Sequence, residues 1–181
     1  EIAGEIGGQT VGEGRLPEFP EFSILLKMDA SYHQMEWYGL GPEDCYADRN
    51  CGAKLGIHRS TAEQTVANYL KPQESGNHTQ VRWMKVTDEQ GYGLMWECDR
   101  LDVSVSPWSP HEIEEALHPT ELPPVHYTYI RAGQQMGIGG DDSWGALVHP
   151  EFLLDSNVPR RITFRLKGIG PEKVQKNRES I

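Results

Sequence analysis

The sequence predicts an all-β fold, an antiparallel β-sandwich with one short helix. Three observations carry that expectation. Apolar and polar residues alternate in one segment after another, the period of a strand with one buried face. Such segments recur about every 10–20 residues, with turn chemistry between them. Only one segment carries helix-start signals.

Taken in order, residues 1–15 hold five glycines and little apolar content, and read as a loose lead-in. The sandwich itself is expected over 16–168. In "FSILLKM" (22–28), Phe22, Ile24, Leu26 and Met28 share one face. "HQMEWYG" (33–39) repeats the pattern through Met35 and Trp37 until Gly39, Gly41 and Pro42 break it. "QVRWMKVTD" (80–88), the turn "DEQG" (88–91) and "GYGLMWEC" (91–98) make a β-hairpin, with Val81 and Trp83 on one face and Met84 and Val86 on the other. "LDVSV" (101–105), "VHYTYIR" (125–131) and "RITFRLK" (161–167) complete the strands. Trp37, Trp83 and Trp96 are expected in the core.

The helix is expected in "SPHEIEEAL" (109–117). Ser109 is placed to cap it, Pro110 suits the first helical position, and Glu112 completes the capping-box spacing. Ile113 and Leu117 share a face, and the helix should end before Pro119. Residues 169–181 are polar and form a tail. No internal repeat or low-complexity segment occurs.

With 181 residues the chain is long enough for one domain with a core of its own. Its net charge of −10 argues against nucleic acid and anionic membrane as partners, since both need a basic surface. No apolar run reaches membrane-spanning length. The three cysteines, Cys45, Cys51 and Cys98, make neither a disulfide framework nor a zinc pattern. A Cys45–Cys51 bridge is one option, and free thiols in a reducing compartment are the stronger one. The compartment is not fixed by this, but free thiols tilt it toward the cytoplasm over the periplasm. The chain starts with Glu rather than Met and reads as an excised or processed piece.

Candidate chemistry is sparse. Asp141 and Asp142 are neighbours, and neighbours on an extended chain point apart, so they do not form the facing carboxylate pair of glycosidic chemistry. In the glycine-rich stretch "GIGGDDSWG" (137–145), aspartate more readily accepts backbone hydrogen bonds and shapes the loop, ahead of metal binding or catalysis. Glu43 and Asp44 follow the Gly41-Pro42 turn and are assigned a structural role for the same reason. The seven histidines are scattered, each expected to face solvent or to be hydrogen-bonded. "GIGG" lacks the Lys and Ser/Thr of a phosphate loop.

Trp144 stands apart, because a large aromatic follows a run built for tight turns. Two roles stay open for it from the residues alone. It packs back over the edge of the core, or it offers a flat apolar face beside polar groups. The second arrangement suits a sugar. Covering roughly 60 Å² of such a face contributes about 1–2 kcal/mol, enough to position a ligand without binding it tightly.

Four ordered blocks resemble the C-terminal region of bacterial β-galactosidases of glycoside hydrolase family 2. They are "EWYGLGPEDCYADR" (36–49) with "GAKLG" (52–56), "PQESGN" with "VRWMKVTDEQGYGL" (72–94), "HPTELP" (118–123), and "GIGGDDSWG" preceded by Gln135-Met136. The likeness runs from about residue 16 to about 168 and implies the last, non-catalytic domain of such an enzyme, sometimes encoded as a separate small chain. That domain is a galactose-mutarotase-like β-sandwich, of which this chain would hold an incomplete part. In the family, a (β/α)₈ barrel elsewhere holds two catalytic glutamates acting on terminal β-galactosides such as lactose by a retaining mechanism. The resemblance therefore places no catalytic residue in this chain and predicts it inactive alone. It makes Trp144 the substrate-binding residue, stacking on the sugar in the leaving-group position, with Gly139, Gly140, Asp141, Asp142 and Ser143 shaping the loop. It implies no cofactor here, since the Mg²⁺ and Na⁺ that the family often uses sit in other domains. The partners implied are the remaining domains and the galactoside. Glu43, Asp44 and Cys45 depart from the usual His or Gln, Glu and Asn, while Ala47 replaces Pro and Ser75 stands where Asn is common. A stand-alone galactoside-binding module and a purely structural interface domain are the competing functions. Missing strands would leave open edges, so the chain is expected to self-associate or to form a self-contained subset of strands.

Overall fold

The computed structural model describes residues 2–8, 16–142 and 144–171. Eight strands follow in chain order: β1 (Ile2–Gly8), β2 (Glu21–Asp29), β3 (Gln34–Gly41), β4 (Lys54–Thr61), β5 (Asn77–Thr87), β6 (Gly93–Ser106), β7 (Tyr127–Gln135) and β8 (Arg160–Ile169). One α-helix, α1 (Pro110–Glu115), lies between β6 and β7, and two single 3₁₀ turns cover Pro119–Glu121 and Pro150–Phe152. The antiparallel all-β class with one short helix is as the alternation predicts.

All eight strands are hydrogen-bonded into one open sheet, in the order β1-β8-β6-β5-β3-β4, with β7 joining β2 to β6. Every pairing is antiparallel. The sheet forks at β6. Gly93–Cys98 pairs with β8, whereas Asp102–Ser106 pairs with β7, and β5 runs along the opposite edge. The fork falls where Arg100 takes a positive φ of 57° and the β5 register shifts.

One core serves both arms. It gathers Met35 and Trp37 from β3, Val81, Met84 and Val86 from β5, Trp96, Val103 and Val105 from β6, and Ile130 and Ala132 from β7. Ile24, Leu26 and Met28 of β2 pack against it from their shared face. Phe164 of β8 stacks on Trp96 at 4.8 Å. Each such aliphatic side chain, fully buried, contributes about 1.5–3 kcal/mol. Trp37 is wholly buried, and its N–H donates to the Leu40 carbonyl at 3.0 Å.

Local chemistry explains the turns. Asp88 closes the β5–β6 hairpin, its Oδ1 accepting the amides of Gln90 (2.9 Å) and Tyr92 (2.8 Å). Ser109 and Glu112 form the expected reciprocal capping box on α1.

Several expectations are corrected. Residues 2–8 of the supposed lead-in form β1, paired along its length with β8; residues 1 and 9–15 lie outside the described set. Strand β4 was not anticipated. The two strands expected at 91–98 and 101–105 are one, β6. Val81 points inward with Met84 and Val86, because a register shift between Val81 and Trp83 moves it to their face. Trp83 is left half-buried outside the core, with the Lys85 ammonium 5.1 Å from its ring centroid. Helix α1 ends at Glu115, leaving Leu117 exposed. Ile169 belongs to β8, and the tail from 172 onward lies outside the described residues.

Candidate functional site

The loop leaving β7 begins where the strand ladder ends. Met136 donates its amide to the Pro20 carbonyl at 3.1 Å, and Gly137 donates to Phe152 at 2.9 Å. The next two amides, of Ile138 and Gly139, both donate to the Asp48 carboxylate, at 3.1 and 2.8 Å. Gly137 lets this happen: a Cβ there would run into the Asp48 carboxylate. Gly139 and Gly140 then turn the chain through positive φ (66° and 85°), as the glycine run predicts.

Beyond the turn, Asp142 Oδ1 accepts the Trp144 amide at 2.7 Å and the Ala146 amide at 3.3 Å. Asp141 reaches back across the loop to His149, Oδ2 to Nε2, at 2.5 Å. The Asp141 carboxylate beside it, through hydrogen bond and charge, raises the His149 pKa above its ordinary value. Both aspartates therefore accept hydrogen bonds from within the loop. Gly139, Gly140, Asp141 and Asp142 are brought together around its tip, while Ser143 lies outside the described residues.

At that tip Trp144 is 93% exposed. It does not fold back over the core edge. Leu147, on the returning limb, is almost as open. The indole is thus free on both faces, above a backbone fixed by carboxylates.

Asp48 is the residue that the spacing argument missed. It lies 90 positions from Ile138, so no local pattern announces the contact. Its own segment is tied down on two sides. Tyr46 and Arg49 exchange backbone hydrogen bonds at 3.0 Å, and Arg49 pairs with Asp44 at 2.9 Å. Asp44 also accepts the Gly76 amide at 3.4 Å. Glu74, from the block "PQESGN", accepts from Arg131 at 2.6 Å and from the Tyr46 hydroxyl at 3.3 Å. Arg131 is held further by Glu21 at 3.1 Å and Ser104 at 2.9 Å. Three of the blocks quoted from the sequence therefore converge in space behind the loop.

A cleft of about 440 Å³ opens beside this anchor, lined by Pro42, Asp44, Asp48, Arg49 and Cys51 among others. A wider cleft of about 810 Å³, lined by Glu36, Lys85 and Met95, shares no residue with the loop. Cys45 is buried, Cys51 is exposed and Cys98 is half-buried, and all three are free thiols, so Cys45 and Cys51 are not bridged. Burial pushes the Cys98 thiol up to about 11, which keeps it protonated. Among the described residues no three His, Cys, Asp or Glu side chains converge as a metal set, and no helix is long and apolar enough to cross a membrane.

His78 departs from expectation. It is buried, its ring stacks on Trp37 with centroids 4.0 Å apart, and neither ring nitrogen has a full hydrogen-bond partner. Desolvation, helped by the nearby His58, pushes its pKa down to about 4, with the Glu43 backbone opposing weakly.

Comparison with known proteins gives the family. The family described as β-galactosidase small chain matches residues 3–166. The chain is 44% identical over 167 residues to a β-galactosidase of Halalkalibacterium halodurans, covering 90% of this chain and 16% of that protein. It is 41% identical over 154 residues to a β-galactosidase of Priestia megaterium, covering 84% and 15%. It is 41% identical over 159 residues to β-galactosidase BgaC of Bifidobacterium adolescentis, covering 85% and 15%. The chain thus spans about 16% of the length of the curated relatives it matches. With the family match running through nearly every strand of the sheet, this chain belongs to the β-galactosidase small-chain family.

Proposed function

We propose that this chain is the non-catalytic C-terminal part of a β-galactosidase, and that it lends Trp144 to an active site built by another part of the protein. One observation carries the proposal: the indole is 93% exposed on a loop whose backbone is held by carboxylates. An apolar ring presented to water on a tethered loop is placed to stack on a ligand or a partner.

The division of labour is then simple. Bond cleavage is done by the paired glutamates of the barrel domain in a retaining mechanism, and any Mg²⁺ or Na⁺ lies with that machinery. In this reading none of the described residues takes part in the bond cleavage itself. Trp144 covers the C–H face of the leaving-group sugar and holds the glycosidic oxygen in line for protonation. The substrate is a terminal β-galactoside such as lactose.

Substituting Trp144→Ala in the full-length enzyme tests this. Losing about 1–2 kcal/mol of stacking corresponds to a KM for lactose raised by roughly 5–30-fold. The melting temperature should stay unchanged, because the ring supports nothing within this chain. A lowered melting temperature with unchanged lactose kinetics would show an interface role instead. Calorimetric titration of the 181-residue chain with lactose should give no heat of binding. Saturable heat would make it a galactoside-binding module in its own right.

A further inference from the structure

We infer that Asp48 and the Asp141–His149 pair are positioning residues, which clamp the loop at its root and across its throat so that Trp144 is presented to a sugar face from a fixed backbone position. This rests on the function proposed for Trp144. Because the ring is exposed, no neighbour orients it, and only its backbone can. That backbone contains three glycines at positive φ: Gly139, Gly140 and Gly145. Ordering one or two such residues costs as much free energy as the stacking contact supplies. A loop ordered only on binding would therefore forfeit the whole benefit of the ring.

The clamp removes that cost in advance. Asp48 takes two consecutive amides of the outgoing limb, one on each carboxylate oxygen. Its own position is fixed by the Tyr46–Arg49 turn, a rigid neighbour outside the loop. His149 on the returning limb ties to Asp141 at the tip, closing the loop across eight positions. The limbs also touch directly, since a Cβ on Gly139 would lie 2.9 Å from the Ala146 carbonyl oxygen.

The throat contact carries a pH dependence. Asp141, Glu151 and Asp48 are the charged groups acting on His149, and all three favour the imidazolium. The folded pKa is therefore raised, so the charged pair is fully formed below the unfolded value of about 6.5 and is lost as pH rises past the folded value.

Hydrogen exchange followed by mass spectrometry on the 181-residue chain, without sugar, reads the clamp directly. Asp48→Asn should speed exchange of the 137–140 amides roughly tenfold, with the β5–β6 hairpin unchanged as the control for folding. After correction for intrinsic rates, protection of the loop should fall roughly threefold as pH is raised from about 6 past the raised His149 value, and His149→Gln should abolish that fall. Unchanged loop exchange in both variants would overturn the clamp. In the full-length enzyme the two substitutions should raise KM for lactose only when Trp144 is present, the coupling seen in a double-mutant cycle. Full additivity with Trp144→Ala would also overturn it. If Trp144→Ala alone leaves the lactose kinetics untouched, the proposed function fails, and the exchange measurement still decides the clamp.

Discussion

His78 and Asp102 are two largely buried titratable groups with opposite effects on stability. Burial pushes His78 down to about 4, so between that value and about 6.5 the unfolded chain binds a proton that the fold refuses. Stability from this residue falls on acidification. Asp102 is pushed up to about 6 by desolvation, against hydrogen bonds from the Gln135 amide and the Asn77 side chain. Here the fold holds the proton that the unfolded chain releases, and stability rises on acidification. The two offset each other between about pH 4 and 6. His78→Phe keeps a ring against Trp37 and removes one side of that balance. Relative to the parent, the variant should gain up to about 3 kcal/mol of stability as pH drops from about 7 to 4, checked by urea denaturation across that range. At this scale the sequence was half legible. The glycines and aspartates around Trp144 announced an unusual loop, because their local chemistry is contained in neighbouring residues. Asp48 and the isolation of His78 were not legible, because each depends on contacts far along the chain.

Strands with a clean inward face were readable, and those without one were not. Met35 and Trp37 alternate strictly in β3, and Ile24, Leu26 and Met28 do so in β2, since both strands line the core. Strand β4 has Leu55 and Ile57 pointing outward at an edge, so its alternation tells of no interior. Strand β1 is mostly exposed and glycine-rich, and pairing with β8 alone makes it a strand. The break read into β6 at Asp99–Arg100 exists as a positive φ, but flanking ladders carry the strand through it. The capping box of α1 was legible because it is entirely local. Where strands approach closely, a single methyl group decides the pairing. A Cβ on Gly133 of β7 would collide with the Phe22 carbonyl and the Ser23 backbone of β2. Gly133→Ala should therefore destabilise the chain by about 2–3 kcal/mol, read as a lowered denaturation midpoint, with the loss centred on the β2–β7 pair.

As a whole the molecule is a sheet with open margins. Among the described residues β4 pairs only with β3, and it carries Ile57 at 61% exposure beside Leu55 at 49%. An apolar strand edge is a template for another chain. The 181-residue chain should associate in a concentration-dependent way in sedimentation velocity, and Ile57→Lys should shift it toward monomer. A fast, soluble monomer at every concentration would show that the edge is harmless alone.

The forked strand has a consequence for how the molecule comes apart. Among the described residues β6 pairs with β5, β7 and β8, so the β1–β8, β2–β7 and β5–β3–β4 ladders are joined to one another only through it. Peeling that single ribbon away would part the sheet into three pieces. The platform under the indole therefore hangs together through one strand.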